Sequence, residues 1–389
     1  MGKSGNDYTI RKLNVLDIFA GAGGMSLGFS QAGFNIVAAV EKWKPAVNTY
    51  QENHQDVTII PRDIREEQVK KMLSSLDDKF GIDIIIGGPP CQGYSNAGNR
   101  NPLDPRGQLY NDFYEIIERI QPKAFVMENV KGLVSMKVLP QDIDSKENAE
   151  LKKMLVGLQR YKDLKRYGAQ RVLNDAEKME FSSLENNLGR IKRNIKKKLV
   201  PLLPIMLERA TNAGYKVEYK VLNAKHHGSP QSRERIFIIG VRKDIEVEIC
   251  FPEPNETIIP VQDVLRDLEG KPEQFLPNHD FTKHKPSFVK RLSKVKPGEN
   301  VYENYSDAWY RLIADEPSRT VKENHGGVFV HYKEDRVLTP RELARLQDFP
   351  DDFVFLGPKS KVLKQIGNAV PVKLARSVGM AVKSSLIKL

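Results

Sequence analysis

Leu13-Asn14-Val15-Leu16-Asp17-Ile18-Phe19-Ala20-Gly21-Ala22-Gly23-Gly24 passes from an apolar strand pattern directly into a glycine turn. The residues beyond it keep the alternation going. A helical pattern carries Met25, Leu27, Gly28 and Phe29 and closes near Gly33, and a second β-rich run, Ile36-Val37-Ala38-Ala39-Val40, ends in Glu41. Strand, glycine turn, helix, strand and acid is the layout of a nucleotide-type cofactor site. Glycines let the backbone approach a ligand, and an acid ending the second strand can accept hydrogen bonds from a ribose. Glu41 lies seventeen residues past Gly24 and the turn is not G-x-G-x-x-G, so adenosine without a pyrophosphate fits better than a dinucleotide. A further strand pattern, Val57-Thr58-Ile59-Ile60, leads to Asp63-Ile64. There a carboxylate either reaches an adenine amino group or caps the helix that starts around Arg65-Glu66-Glu67.

Composition narrows the classes around this core. The 389 residues are 40% hydrophobic and 29% charged, the ordinary mixture of a soluble globular protein of two or three domains. No run approaches the length of a membrane span, and the first fifteen residues lack a signal-peptide stretch. Two cysteines, Cys91 and Cys250, exclude a disulfide scaffold and an all-cysteine zinc site. His279, His284, His325 and His331 lack zinc-motif spacing, so no metal is expected. A net charge of +11 suggests a polyanionic partner.

The next strand pattern, Ile82-Asp83-Ile84-Ile85-Ile86, opens into Gly87-Gly88-Pro89-Pro90-Cys91-Gln92-Gly93-Tyr94-Ser95. Two prolines fix the backbone and a cysteine follows at the carboxyl end of a strand, where α/β proteins place ligands. A free cysteine is commonly a small buried hydrophobe. Here Gly93 through Gly107 are polar and rich in Gly, Asn and Pro, so Cys91 opens a loop whose glycines allow it to move as a lid.

Together these segments resemble the DNA (cytosine-5)-methyltransferase family of bacterial restriction-modification type. Phe19-Ala20-Gly21-Ala22-Gly23-Gly24 is similar to its cofactor loop and Gly88-Pro89-Pro90-Cys91-Gln92 to its nucleophile motif. Glu128-Asn129-Val130, Gln231-Ser232-Arg233-Glu234-Arg235 and a terminal set follow in the family's order. That set runs from Arg336-Val337-Leu338-Thr339-Pro340-Arg341-Glu342 to Gly367-Asn368-Ala369-Val370-Pro371. The resemblance implies an α/β fold, a Rossmann-like S-adenosylmethionine-dependent domain with a smaller target-recognition domain. It also implies methylation of carbon 5 of a flipped cytosine in a short double-stranded DNA site, with S-adenosylhomocysteine as product.

That chemistry explains the residue types. Carbon 5 of cytosine is a poor nucleophile until a thiolate adds at carbon 6, and cysteine is both a good nucleophile and a good leaving group. Its ordinary pKa of about 8.5 calls for cationic or helix-terminal help, or for proton loss during attack. Glu128 follows the apolar strand Ala124-Phe125-Val126-Met127 and is expected beside Cys91, holding a raised pKa so that it can protonate nitrogen 3. Arg233 and Arg235 alternate at the entry to a strand, which puts both on one face. By resemblance Arg235 contacts the base and Glu128 while Arg233 grips a phosphate; the alternative is a pair of surface salt bridges.

The same resemblance has Phe19 pack on adenine, with Ala20, Gly21, Gly23 and Gly24 forming the loop and Glu41 binding the ribose. Asp63 and Ile64 meet the adenine edge, while Pro90, Leu109, Asn368 and Val370 complete the walls. Lys42 stands between Glu41 and Trp43 where many relatives have an aromatic residue directly, so Trp43 is either a cofactor lid or core.

Two stretches vary. Residues of about 140–200 read as a charged helical insertion ending in Arg190-Ile191-Lys192-Arg193-Asn194-Ile195-Lys196-Lys197-Lys198, either a solvated face or a DNA-backbone contact. Residues 245–345 read as the recognition domain, inserted in a catalytic domain of 1–244 and 366–389, with 346–365 as a returning hinge. Lys283, Lys285, Arg291, Lys294, Tyr310, Arg311, Lys322 and Asn324, with Gln92, Ser95 and Arg106 of the loop, are the candidate DNA contacts. The expected setting is a cytoplasmic, monomeric enzyme with a cognate restriction endonuclease as functional counterpart. A tRNA cytosine-5 methyltransferase and a non-catalytic DNA-binding relative are the alternatives; the first lacks its Cys-Phe-Thr signature here.

Overall fold

Strands β1 (Asn14–Ile18) and β2 (Asn35–Val40) are the two runs that flank the glycine turn, with helix α1 (Gly24–Gln31) between them. The chain continues through α2 (Lys44–Asn53), β3 (Thr58–Ile60), α3 (Glu67–Phe80), β4 (Ile84–Gly87), α4 (Leu109–Ile120) and β5 (Ala124–Val130). A computed structural model gives these positions and describes residues 11–90, 109–140, 145–302, 309–322 and 329–387. Next come the short β6 (Lys137–Val138), α5 (Ala149–Gly168), α6 (Asp175–Lys198), the short β7 (Val200–Pro201), α7 (Leu202–Asn212), β8 (Tyr215–Asn223) and β9 (Glu234–Arg242). The remainder holds α8 (Val261–Leu265), α9 (Pro286–Leu292), β10 (Tyr310–Arg311), β11 (Phe329–Val330), α10 (Pro340–Leu346), α11 (Lys359–Asn368) and α12 (Val372–Ile387).

Seven strands form one sheet in the order β3-β2-β1-β4-β5-β9-β8. All neighbouring pairs from β3 to β5 are parallel; β9 runs antiparallel to both β5 and β8. Near-continuous apolar runs such as Ile84-Ile85-Ile86 suit strands covered on both faces. The strand order reverses between β1 and β4, and the crevice outside their carboxyl ends is where such sheets bind ligands. Both the glycine turn after β1 and the Pro89-Pro90 segment after β4 open there.

The terminal helix closes one face. Leu374, Ala375, Val378, Val382 and Leu386 of α12 share a core with Met25 and Phe29 of α1 and with β1, β4 and β5. A Cβ on Gly28 would stand 2.5 Å from that of Ala375 and 2.7 Å from the Val372 carbonyl, so only glycine admits this crossing.

Two compact units divide the chain: the described residues of Met1–Cys91, Gln108–Lys131 and Leu207–Leu389 form one, and those of Gly132–Met206 the other. The helical insertion expected at about 140–200 is therefore a unit with its own small core of Leu151, Leu155, Leu158 and Ile195. The segment expected to fold as a recognition domain belongs to the first unit. Its Val261, Leu265, Leu312, Val321 and Phe329 join Leu343, Leu346, Phe349, Phe353, Phe355, Val362 and Val372 in a second core. The stretch 346–365 is thus no hinge: its aromatic residues pack on one another, Phe349 lying tilted 4.6 Å from Phe353 and edge-on 5.0 Å from Phe355 between ring centroids. Helix α10 starts with a Thr339–Glu342 capping box.

Candidate active site

The glycine turn is built as a cradle. Phe19 sits at φ 62° and Gly23 at φ 96°; a Cβ at Gly23 would lie 2.3 Å from His54 Nε2. A positive φ at a phenylalanine is strained backbone, and here it leaves the ring half-buried at the crevice. Glu41 ties the turn to β2: Gly21 N–H donates to its Oε2 at 2.9 Å and Trp43 N–H to its Oε1 at 2.7 Å. A carboxylate has about four acceptor positions, so two remain for a diol. Nothing lies within 4 Å of the space a Gly21 Cβ would occupy. An aromatic face, an acid with spare lone pairs and open backbone fit an adenosine-bearing cofactor.

Beneath the turn, Tyr50 O–H lies 2.8 Å from Ser26 Oγ, which donates to Asp17 Oδ2 at 2.6 Å. Asp17 Oδ1 is buried without a partner. Burial, opposed by the Ser26 hydrogen bond and aided by Glu41, pushes the Asp17 carboxyl up to about 7. The folded chain thus keeps a proton that the unfolded chain loses near pH 3.8, so this group's stabilising contribution is complete below that pH and disappears as pH rises through about 7. Asp17→Asn is expected to remove this slope: between pH 5 and 7 the wild type should lose about 2 kcal/mol relative to the variant in urea denaturation. Equal pH dependence in both proteins would refute the assignment.

Asp63 is not the free acid expected at the adenine edge. Its carboxylate takes Lys42 Nζ at 2.9 Å and Arg65 at 2.6 Å, and the Arg65 hydrogen bonds hold it well below the usual carboxylate range. Ile64 is buried beside it. Lys42, the residue that interrupts the usual acid–aromatic pair, therefore folds back on Asp63. Trp43 is half-buried and sits at the N-cap of α2, with Lys364 Nζ 5.5 Å from the ring centroid, so it is not core. Val370 presses its carbonyl towards Gly24, 2.7 Å from an added Cβ; Leu109 is buried, Pro90 half-buried and Asn368 exposed.

The second half of the crevice is the acid–arginine pair. Val130 of β5 pairs with Arg235 of β9, and Glu128 with Phe237, so Glu128 and Arg235 stand diagonally on one face. Arg235 Nε donates to Glu128 Oε1 at 2.9 Å. Burial raises the Glu128 pKa against the pull of Arg235 and Arg233, and burial lowers that of Arg235. An added Cβ on Gly88 would stand 2.9 Å from Glu128 Oε2, so glycine lets the carboxyl lie against the segment leading to Cys91. Asn129 then pins that segment, its Nδ2 donating to Pro89 O at 2.9 Å. Sequence reading passed over Asn129 as a positioning group, although it stands within the Glu128-Asn129-Val130 block. Cys91, Gln92, Ser95, Arg106 and Asn324 lie outside the described residues.

Arg233 does not reach a phosphate. It is 2% exposed, with Nη1 donating to Val321 O and Nη2 to Gly367 O. Gln231 completes the brace: its Nε2 donates to Leu346 O and to Gln347 Oε1, and its Oε1 accepts from Val321 N–H. The arginine motif thereby joins the middle of the chain to the last residues of α11, Gly367 and Asn368. Arg311 and Tyr310 are likewise internal: Arg311 donates to the carbonyls of His331 and Leu292 and pairs with Asp335, while the Arg319 guanidinium lies 3.6 Å from the Tyr310 ring centroid. Neither is placed to read a base edge. Lys283, Lys285, Arg291, Lys294 and Lys322 are exposed. His279 and His331 are fully buried, and no group of His, Cys, Asp or Glu able to hold a metal occurs among the described residues. Among the same residues no helix is long and apolar enough to cross a membrane.

Residues 13–154 and 181–384 match the family described as C-5 cytosine-specific DNA methylase. The type II methyltransferase M1.HphI of Haemophilus parahaemolyticus is 34% identical over 386 residues, covering 95% of this chain and 86% of that one. M.DdeI of Desulfomicrobium norvegicum is 30% identical, covering 94% and 87% respectively. Among solved structures, a prophage-encoded E. coli protein described as a DNA modification methyltransferase aligns with a TM-score of 0.67 at 24% identity, over 97% of this chain and 100% of that one. That likeness speaks for the fold. The chain belongs to the C-5 cytosine-specific DNA methylases, and with its type II relatives it is a DNA cytosine-5 methyltransferase of restriction-modification systems.

Proposed function

We propose that the protein methylates carbon 5 of a cytosine flipped out of double-stranded DNA, through a covalent bond from Cys91 to carbon 6. The observation that carries this reading is the Glu128–Arg235 pair, set against Gly88 at the strand end that leads into Cys91. Extruding a base costs a few kcal/mol, which pocket contacts must return. Cys91 Sγ, as thiolate, adds to carbon 6; the displaced π electrons move towards nitrogen 3, where Glu128 supplies a proton. Burial raises its pKa, which favours the protonated form that this step needs. Arg235 orients the carboxyl and Asn129 fixes the backbone before Cys91. Phe19, the turn from Ala20 to Gly24, Glu41 and Val370 would hold S-adenosylmethionine, which would supply the methyl group that carbon 5 takes up. A solvent base then takes the carbon 5 proton, the electrons of that bond reform the carbon 5–carbon 6 double bond and expel the Cys91 thiolate, and nitrogen 3 returns its proton to Glu128.

Lys283, Lys285, Arg291, Lys294 and Lys322 are the phosphate contacts of the segment 245–345, which reads the target. The enzyme acts as a cytoplasmic monomer and protects host DNA from a cognate endonuclease. The test incubates the protein with labelled S-adenosylmethionine and a plasmid of varied sequence, maps methylcytosine by bisulfite sequencing, and runs an RNA pool in parallel. Modification at one short DNA sequence is the expected result. Label in RNA alone would overturn the substrate, and silence on both with measurable cofactor binding would overturn the catalysis.

A further inference from the structure

The helical unit carries a charge pattern that catalysis leaves unused. Helix α6 is split by sign: Asp175, Glu177, Glu180 and Glu185 lie in its first half, and six cations with no acid fill 190–198. In the first half and the facing part of α5 the charges satisfy one another. Arg160 pairs with Glu180, Arg171 with Glu177 and Lys178 with Asp175. Arg190, Lys192, Arg193, Lys196, Lys197 and Lys198 are all exposed, and none has an ion-pair or hydrogen-bond partner among the described residues. Lys162 of α5 adds to them: burial and then Lys192 push its pKa down, a sign of like charges left facing each other.

Complementing the helix dipole accounts for only part of this. That effect is confined to the last turn, which covers Lys196, Lys197 and Lys198 and leaves Arg190, Lys192 and Arg193 unexplained. At 3.6 residues per turn, Ile191 and Ile195 face the small core, while Arg190, Arg193, Lys196 and Lys197 form one stripe on the opposite side. The stripe rises about 10 Å along the axis, enough to meet two or more consecutive phosphates. The family match stops at residue 154 and resumes at 181, so much of the hairpin that presents this stripe is outside the common family pattern.

We infer that this stripe is a second, sequence-independent DNA contact, in which the hairpin grips the phosphate backbone of the substrate duplex. The inference rests on DNA being the substrate. It adds affinity and an ionic-strength dependence without adding base readout, because phosphate contacts carry no sequence information.

The test compares the full-length wild type with a fourfold variant, Arg190→Gln, Arg193→Gln, Lys196→Gln and Lys197→Gln. Binding of a fluorescent 30-base-pair duplex carrying the mapped methylation site is titrated from 50 to 200 mM salt. Each lost phosphate contact should flatten the log–log salt slope by about 0.9, so a reduction of roughly 2 to 4 is expected. KM for DNA should rise about tenfold or more at the higher salt, with the loss in KM rather than kcat and with the methylated sequence the same. Circular dichroism checks folding, and Arg190→Lys with Arg193→Lys, which keeps the charge, should restore the slope. A control at the paired end, Arg166→Gln with Lys178→Gln, should leave the slope alone. An unchanged slope in the fourfold variant, or an equal loss in the control, overturns the inference; wild type that methylates no DNA instead overturns the substrate reading.

Discussion

Cys91→Ser should bind S-adenosylmethionine like the wild type and transfer methyl groups roughly 10⁴-fold more slowly or worse, a loss of the size seen when a covalent nucleophile is removed. Serine keeps the size and polarity of the side chain but not the acidity. A thiol near its ordinary pKa is a few per cent ionised at neutral pH, whereas a hydroxyl is not measurably ionised. The loss should therefore appear in kcat, with DNA affinity kept. A duplex carrying 5-fluorocytosine at the mapped site gives a second readout: fluorine cannot leave carbon 5 as a proton does, so the adduct should persist as a shifted band on a denaturing gel. The variant should show no such band. Retention of more than about a hundredth of the rate would exclude Cys91 as the nucleophile, since general acid and orientation effects would then supply nearly everything.

Glu128→Gln is the second large effect, expected to lower kcat by about 10² to 10⁴. Glutamine can still donate a hydrogen bond to nitrogen 3 but cannot give up a proton. The pH profile separates this role from simple positioning. In the proposed mechanism Glu128 works in its protonated form, so wild-type kcat should fall as pH rises through its raised pKa, and the variant should lack that limb. Arg235→Met removes the charge that pulls this pKa down, so the same limb should move to higher pH while burial acts unopposed. A limb that stays in place in both variants would assign it to another group.

How much of this was legible in the sequence depends on what each residue's partner is. The strand, turn and helix from Asn14 to Gln31 obey local rules; the contact of Glu128 with Arg235 was an expectation of the family resemblance, because the adjacency of β5 and β9 joins segments far apart in the chain. Arg233 alternates with Arg235, yet its two acceptors are carbonyls of Val321 and Gly367, contributed by segments that no local pattern links. Tyr310 and Arg311 were singled out by the company of lysines and aromatics. That composition is shared by a DNA-reading loop and by an arginine spent on internal carbonyls, and only burial tells them apart. The 346–365 stretch differs in the opposite direction: expected as a hinge returning to the catalytic domain, it carries Phe349, Phe353 and Phe355, which fill a core whose other half lies far away in the chain.

The crossing of α1 and α12 also sets a timetable for the newborn protein. The floor of the glycine turn needs Val370 against Gly24, and Met25 and Phe29 need Leu374 and Val378, all synthesised about 350 residues later. At roughly 5–20 residues per second, a ribosome takes on the order of twenty to eighty seconds to make a chain of this length. Through that interval the first helix leaves the exit tunnel with its apolar side uncovered, a natural client for chaperones. Until those residues are made the glycine turn lacks its packing partners, and a product cut short before them cannot complete that core.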